Sequence, residues 1–237
     1  PRIFPMQLTK HWAAQLDDYA IDLAWSPDGT LLAAASSSGP VSLYASADGK
    51  KLHELPGHTD GTNCLAWSPS SSGSDLPAAN STVALLATGG QDGSVKFWDA
   101  HAGQHTATAS LGRDWVDHLV WIPSPTLNSP LLAAASGKTL TALRPDATVA
   151  HTFKPAARTI TALAAPRQGG CVATAHFGSG YMDGHNRLST SHLDARGDRL
   201  ALIGQNGTGP AARPSSPTRK SSPVTRVTPR PPPPRWR

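Results

Sequence analysis

Some groupings in this 237-residue chain carry residue types that could do chemistry. Gly137-Lys138-Thr139 has the ending of a phosphate-binding loop, in which glycine amides and a lysine cradle a nucleotide phosphate. The position that needs the first glycine is Leu132, and the surrounding pattern predicts a strand turn rather than the start of a helix. His176, His185 and His192, with Asp183 and Asp194, supply metal-binding atoms in a spacing that matches no ligand pattern. Arg196-Gly197-Asp198 spells an adhesion tripeptide in a position that reads as a turn. No Gly-x-Ser-x-Gly elbow presents a nucleophilic serine. The residues predict no catalytic group, no cofactor and no metal, and the chain is expected not to be an enzyme.

The elements around these residues are short strands. Cys64 to Trp67 is an apolar run closed by Ser68-Pro69, the pattern of a buried strand with a turn after it. Val83 to Thr88 is a second apolar run, and Gln91-Asp92-Gly93 supplies the turn chemistry of a tight hairpin. Ser94 to Trp98 alternates polar and apolar residues as a half-buried strand does, and Thr106 to Leu111 gives a fourth. The phrase Leu65-Ala66-Trp67-Ser68-Pro69 also occurs 42 residues earlier, as Leu23-Ala24-Trp25-Ser26-Pro27. A period of about 40–45 residues marks stacked four-stranded units.

The stretch from Gly57-His58-Thr59-Asp60 to Val95-Lys96-Phe97-Trp98-Asp99 resembles a WD repeat, the unit of one blade of a β-propeller. The resemblance implies a hydrogen-bonded tetrad of His58, Thr88, Asp92 and Trp98, structural rather than catalytic. It is chemically sensible, because a buried imidazole needs a partner at each nitrogen. Overlaying Leu31–Tyr44 on Leu85–Trp98 puts Ala34, Ser38 and Tyr44 at the last three tetrad positions, with Leu16 where the histidine would stand. A third repeat runs from Trp115 through Leu119–Pro123, Leu131–Ala135 and Thr139–Leu143, also without the Asp and Trp. Its 54-residue offset, from Trp67 to Trp121, is explained largely by a polar insert at Ser70–Ser81 in a surface hairpin loop.

After residue 160 the pattern frays. Ile160–Pro166 and Cys171–Ala175 read as the first two strands of a fourth repeat, and Gly178–Asp183 as a damaged third strand with no clear fourth. Asp194–Gly207 overlays Ser26–Gly39 and reads as the start of a fifth repeat. The expected fold is all-β: a partial WD-repeat β-propeller over residues 16–208, with three clear blades and one or two degraded. Residues 1–15 form an N-terminal segment, and the start on Pro1 rather than Met points to missing chain upstream. Propellers close with about 4–8 blades, so an arc of this size is expected to need more chain or a partner.

Residues 210–237 hold nine Pro and seven Lys or Arg and no Asp or Glu. The remaining chain then has 14 basic against 16 acidic residues, so the pI of about 9.5 belongs to the tail. A segment of this kind, residues 209–237, is expected to be disordered with polyproline stretches. Arg226-Val227-Thr228-Pro229-Arg230-Pro231-Pro232 fits a ligand of SH3-type domains, and the charge allows weak, salt-dependent nucleic-acid contact. Loss of the repeat after about Gly178 is also what a shifted reading frame produces.

Cys64 and Cys171 fall in expected core strands and make no disulfide framework, which favours a reducing, cytoplasmic setting. No apolar run approaches the ~20 residues of a membrane span. What the resemblance implies is a non-enzymatic protein-interaction scaffold whose loops, particularly Ser70–Ser81 and the turn before Trp115, dock a protein or peptide. Two alternatives stand beside it: the scaffold part of a larger propeller enzyme or sensor, and a tail-mediated nucleic-acid binder.

Overall fold

The computed structural model describes residues 9–69, 84–123, 129–166 and 171–176, together with the backbone of 187–193 and 200–203. All of these lie in the first of the chain's two units, Pro1–Asn206. Every regular element among the described residues is a strand. The first sheet holds β1 (Ala20–Trp25), β2 (Leu31–Ser36), β3 (Val41–Ala45) and β4 (Lys51–Leu55). The second holds β5 (Thr62–Trp67), β6 (Leu85–Gly90), β7 (Ser94–Asp99) and β8 (Gln104–Ser110). The third holds β9 (Val116–Ile122), β10 (Leu131–Ser136), β11 (Thr139–Leu143) and β12 (Val149–Thr152), and the fourth β13 (Ile160–Ala164), β14 (Cys171–His176), β15 (Arg187–Leu193) and β16 (Leu200–Ile203). Each is a four-stranded antiparallel meander in chain order, the architecture of a propeller blade.

The second strands explain the composition. β2 and β10 share the sequence Leu-Leu-Ala-Ala-Ala-Ser and are almost wholly buried on both faces. A strand covered on both sides reads as a continuous apolar run instead of an alternating one. The cores accordingly lie between the sheets. Leu43 and Val41 of the first blade pack with Leu65, Trp67 and Leu86 of the second. Val95 and Phe97 of the second pack with Val116, Trp121 and Leu132 of the third, and Ile122 and Ala133 of the third pack with Ile160 and Val172 of the fourth.

Polar contacts fix the spacing of these layers. The Trp67 indole Nε1 donates to the Ala24 carbonyl at 2.9 Å, and Trp121 Nε1 repeats this one blade later on the Ala66 carbonyl at 3.0 Å. The Leu65 amide donates to Asp22 Oδ2 at 2.8 Å, and Asn63 Nδ2 to Asp117 Oδ1 at 3.0 Å.

Two sequence-based expectations need correction. The third strand of the fourth blade is Arg187–Leu193; Gly178–Asp183, read as that strand, lies outside the described residues. Leu200–Ile203 does not open a fifth repeat: it pairs with β15, Leu193 opposite Leu200 and Thr190 opposite Ile203, as the outer strand of the fourth sheet. Its likeness to Leu32–Ala35 is that of any short apolar strand following a turn, a feature every hairpin of the chain shares. The second strand of the second blade ends at Gly90, two residues beyond the apolar run that the sequence marks as ending at Thr88. A Cβ on Gly89 would stand 2.6 Å from Val116 Cγ1 and 2.7 Å from Cys64 Sγ, so the glycine permits close blade stacking.

The indole series predicts that Trp67→Phe removes one interblade hydrogen bond and lowers unfolding free energy by about 1 kcal/mol. Trp115→Phe, at a half-exposed indole outside the series, should leave urea denaturation within about 0.5 kcal/mol of the parent.

Candidate functional site

The structure brings His58, Thr88, Asp92 and Trp98 into one network in the second blade. His58 precedes β5, Thr88 lies on β6, Asp92 is in the β6–β7 turn and Trp98 is on β7. The turn folds tightly because Gly93 takes a left-handed conformation at φ 71°. Trp98 Nε1 donates to Thr88 Oγ1 at 3.0 Å, since an indole can only donate. The threonine hydroxyl then donates its own proton to His58 Nε2 at 2.7 Å. That leaves the imidazole proton on Nδ1, aimed at Asp92 Oδ1 at 2.9 Å. Ser94 closes the circuit, its amide and hydroxyl donating to the same Asp92 oxygen at 3.0 and 2.7 Å.

The electrostatics agree with this proton order. Burial depresses the His58 pKa below its ordinary 6.5, outweighing the attraction of Asp92, so the imidazole is neutral. Burial acts to raise Asp92, but hydrogen bonds from Ser94 and His58 outweigh it and hold the carboxylate below its usual 3.8. Every proton of the His–Asp pair is committed, and the His58 side chain is shut off from solvent. The arrangement clamps the His58 loop onto the hairpin.

Gly90 is a member of this site that sequence reasoning missed. A Cβ there would collide with the His58 ring, so its hydrogen side is where the imidazole lies. The pair Gly89-Gly90 ending an apolar strand was the available signal.

The other blades handle the same position differently. In the first, Tyr44 opposes Leu32 as Trp98 opposes Leu86, and Ala34 takes the place of Thr88. The Tyr44 hydroxyl is buried without a hydrogen-bond partner among the described residues. Ser38, at the Asp92 position, pairs instead with Ser36 Oγ at 2.9 Å. In the fourth blade Thr174 opposes Leu163 as Thr88 opposes Leu65. Its imidazole comes from the same strand, His176 Nε2 lying 2.9 Å from Thr174 Oγ1. Of the histidine-rich grouping around it, Asp183, His185 and Asp194 lie outside the described residues, as do Arg196-Gly197-Asp198 and the basic tail. Gly137-Lys138 forms the turn between β10 and β11. Cys64 is buried, which pushes its thiol pKa up, and donates to the Val116 carbonyl at 3.4 Å.

A second feature is a solvent-open cavity. The first strands of all four sheets line a cavity of about 330 Å³, with Asp22, Asn63, Asp117 and His118 as its polar groups. Asp22 is held by the amides of Leu23 and Leu65, both at 2.8 Å, so its position is set by two blades together. Asp117 is oriented by Asn63 Nδ2. The result is a mouth with two hydrogen-bonded carboxylates. Of the loops expected to dock partners, Ser70–Ser81 lies outside the described residues. The turn before Trp115 is tied down by Ser136 Oγ donating to the Asp114 carbonyl at 2.7 Å, and it presents the half-exposed Trp115 ring.

The network yields two expected outcomes. Thr88→Val, which strands the Trp98 N–H and His58 Nε2, should cost about 1–3 kcal/mol in urea denaturation, whereas Tyr44→Phe should be neutral or stabilising. The folded pKa values of His58 and Asp92 are both depressed, so the unfolded chain takes up protons first as pH falls. Their stabilisation is present above about pH 6.5, declines first through the His58 step, and falls again below about pH 3.8 through Asp92. Unfolding free energies between pH 8 and 5 should show this slope, and His58→Gln should flatten it.

Comparison with known proteins agrees with the repeat geometry. Residues 49–99 match the family described as WD domain, G-beta repeat, and residues 3–70 match the anaphase-promoting complex subunit 4 WD40 domain. The chain is 33% identical over 135 residues to protein transport protein sec13 of Emericella nidulans, covering 53% of this chain and 44% of that protein. It is 31% identical over 171 residues to anaphase-promoting complex subunit cdc20 of Dictyostelium discoideum, covering 68% of this chain and 30% of that one. The chain thus spans less than half the length of these curated relatives. In fold it resembles the solved structure of U3-55K, with a TM-score of 0.60 at 20% identity over 80% of this chain and 53% of the other. The computationally designed Ika4 protein is similar with a TM-score of 0.55 at 17% identity, over 77% of this chain and 98% of that one. Family matches, curated relatives and stacked four-stranded sheets converge, and the chain is a member of the WD-repeat family.

Proposed function

We propose that the chain is a non-enzymatic protein-interaction platform whose contact surface is the cavity mouth framed by β1, β5, β9 and β13. The observation that carries this reading is the pair of carboxylates, Asp22 and Asp117, held on rigid strands around a cavity of about 330 Å³. A preorganised surface loses little conformational freedom on association, and fixed anionic groups favour a partner that brings Lys or Arg to the mouth. The buried His58–Asp92 pair supports the non-enzymatic part of the proposal, because its protons are all engaged and water does not reach the ring. The four residues of that network serve architecture in this reading. The domain scheme proposed is a repeat body over 16–208 between an N-terminal segment and a Pro/Arg-rich tail.

A cytoplasmic setting is proposed on the free thiols of Cys64 and Cys171. Among the described residues no helix is long and apolar enough to cross a membrane.

The test is affinity purification of the tagged chain from its own source, in parallel with an Asp22→Asn, Asp117→Asn double variant whose melting curve is checked first. A stoichiometric partner should co-purify, and the double variant should weaken its binding about tenfold, equivalent to ~1.4 kcal/mol. A partner bound equally well by both would remove the cavity mouth from the proposal. No partner at any ionic strength would remove the platform reading itself.

A further inference from the structure

The loops along one rim of the stacked sheets change sign from blade to blade. The β4–β5 connection, residues 56–61, carries Asp60 and no Lys or Arg. It is joined to the β6–β7 turn, which carries Asp92, by the Gln91 amide donating to the Gly61 carbonyl at 3.0 Å. One blade later the β8–β9 connection brings Arg113 and the β10–β11 turn brings Lys138. The β12–β13 connection then holds Lys154 and Arg158 without any acidic residue. Residues 1–209 have 14 basic against 16 acidic groups, so this gathering of cations is local and does not follow from the composition of the body.

Backbone hydrogen bonds bring these groups together. The Ala156 amide donates to the Lys138 carbonyl at 2.8 Å, and the Ile160 amide to the Gly137 carbonyl at 2.9 Å. Lys154 and Arg158 each stand two residues from Ala156, so this strap carries two cations to the turn that bears Lys138. On the other flank the Asp114 carbonyl accepts from Ser136 Oγ at 2.7 Å, which seats Arg113 and Trp115 against the same hairpin. All four cations are exposed, and none of them enters an ion pair among the described residues. The Trp115 indole among them is half-exposed.

Cations on tied loops meet an anion with little loss of conformational freedom, and their clustering favours a partner of opposite charge. An accessible indole beside them is the kind of anchor that dominates protein contacts. Asp114 decides between polyanions. A Cβ on Gly137 would stand 2.6 Å from its Oδ2, so a carboxylate interrupts the row of cations. A nucleic-acid backbone, charged at every step, would have to pass it. A short acidic stretch of protein can place its carboxylates on one side of Asp114 and an apolar residue on the other, over Trp115.

We infer that this rim docks an acidic segment of a protein partner, its carboxylates on Lys138, Lys154 and Arg158 and an apolar side chain on the Trp115 ring. The surface shares no residue with the lining of the cavity mouth, which favours cations, and it stands or falls independently of that mouth.

Fluorescence anisotropy on the full chain tests this with a labelled peptide of glutamates around a central leucine. The peptide should bind, with an affinity that falls as salt rises. A triple variant, Lys138→Glu, Lys154→Glu and Arg158→Glu, should weaken it about tenfold, and Trp115→Ala about threefold, with unchanged circular dichroism. Arg213→Glu, Arg219→Glu and Arg226→Glu together in the tail should change the affinity by less than about twofold, as should Asp22→Asn with Asp117→Asn at the mouth. Failure of the glutamate peptide to bind overturns the inference. So does equal binding by the rim triple variant, or binding abolished by the tail reversal alone. A labelled thymidine oligonucleotide that binds more tightly than the peptide, and is lost in the rim variant, would replace the acidic protein segment with nucleic acid.

Discussion

The organising constraint is that no four-stranded sheet of this chain can cover its own faces. A meander of short strands buries its apolar residues only by stacking against another, and the cores here are all interblade. Close stacking requires small residues on the second strands, which the Ala triplets of β2 and β10 supply. It also requires a device that sets distance and register, since greasy planes slide. The indole-to-carbonyl bonds and the Asp22 carboxylate, which takes one amide from its own blade and one from the next, serve as that device. The channel mouth is a by-product of the same stacking, because the aligned first strands leave their polar side chains facing a common space.

Much of this was legible in residues. The recurrence of Leu-Ala-Trp-Ser-Pro fixed the repeat length, and Gln91-Asp92-Gly93 located a hairpin that forms with Gly93 in a left-handed conformation. Legibility fell where identity and geometry separate. Gly89 and Gly90 carry no side chain to mark a strand, yet they finish one whose neighbours come too near for any Cβ. Leu200–Ile203 resembles the second strand of a repeat, but pairing with β15 decides its place, and pairing is not local information. The role of Asp22 was invisible because its decisive partner, the Leu65 amide, is 43 residues away and in another sheet.

Departures from the repeat pattern are also interpretable as chemistry. The second blade carries a complete polar chain from indole to carboxylate. The first keeps the aromatic ring and loses the acceptor, leaving the Tyr44 hydroxyl enclosed without a partner among the described residues. The fourth keeps the threonine and recruits an imidazole from two residues along the same strand. The position tolerates these alternatives because the surrounding apolar packing holds the strands whichever polar solution is present.

The Asp22 carboxylate has a further consequence. It joins main-chain amides of two sheets through one short side chain, so a displacement of the second blade must move the rim of the mouth with it. Through the Trp67 and Trp121 contacts the same displacement reaches the first and third blades. Stability in stacked repeats is carried between nearest neighbours, so the sheets are coupled like links and not like independent domains. Opening fluctuations should then begin at the terminal blades, with the second blade, braced on both sides and closed by its own polar circuit, exchanging its amides last.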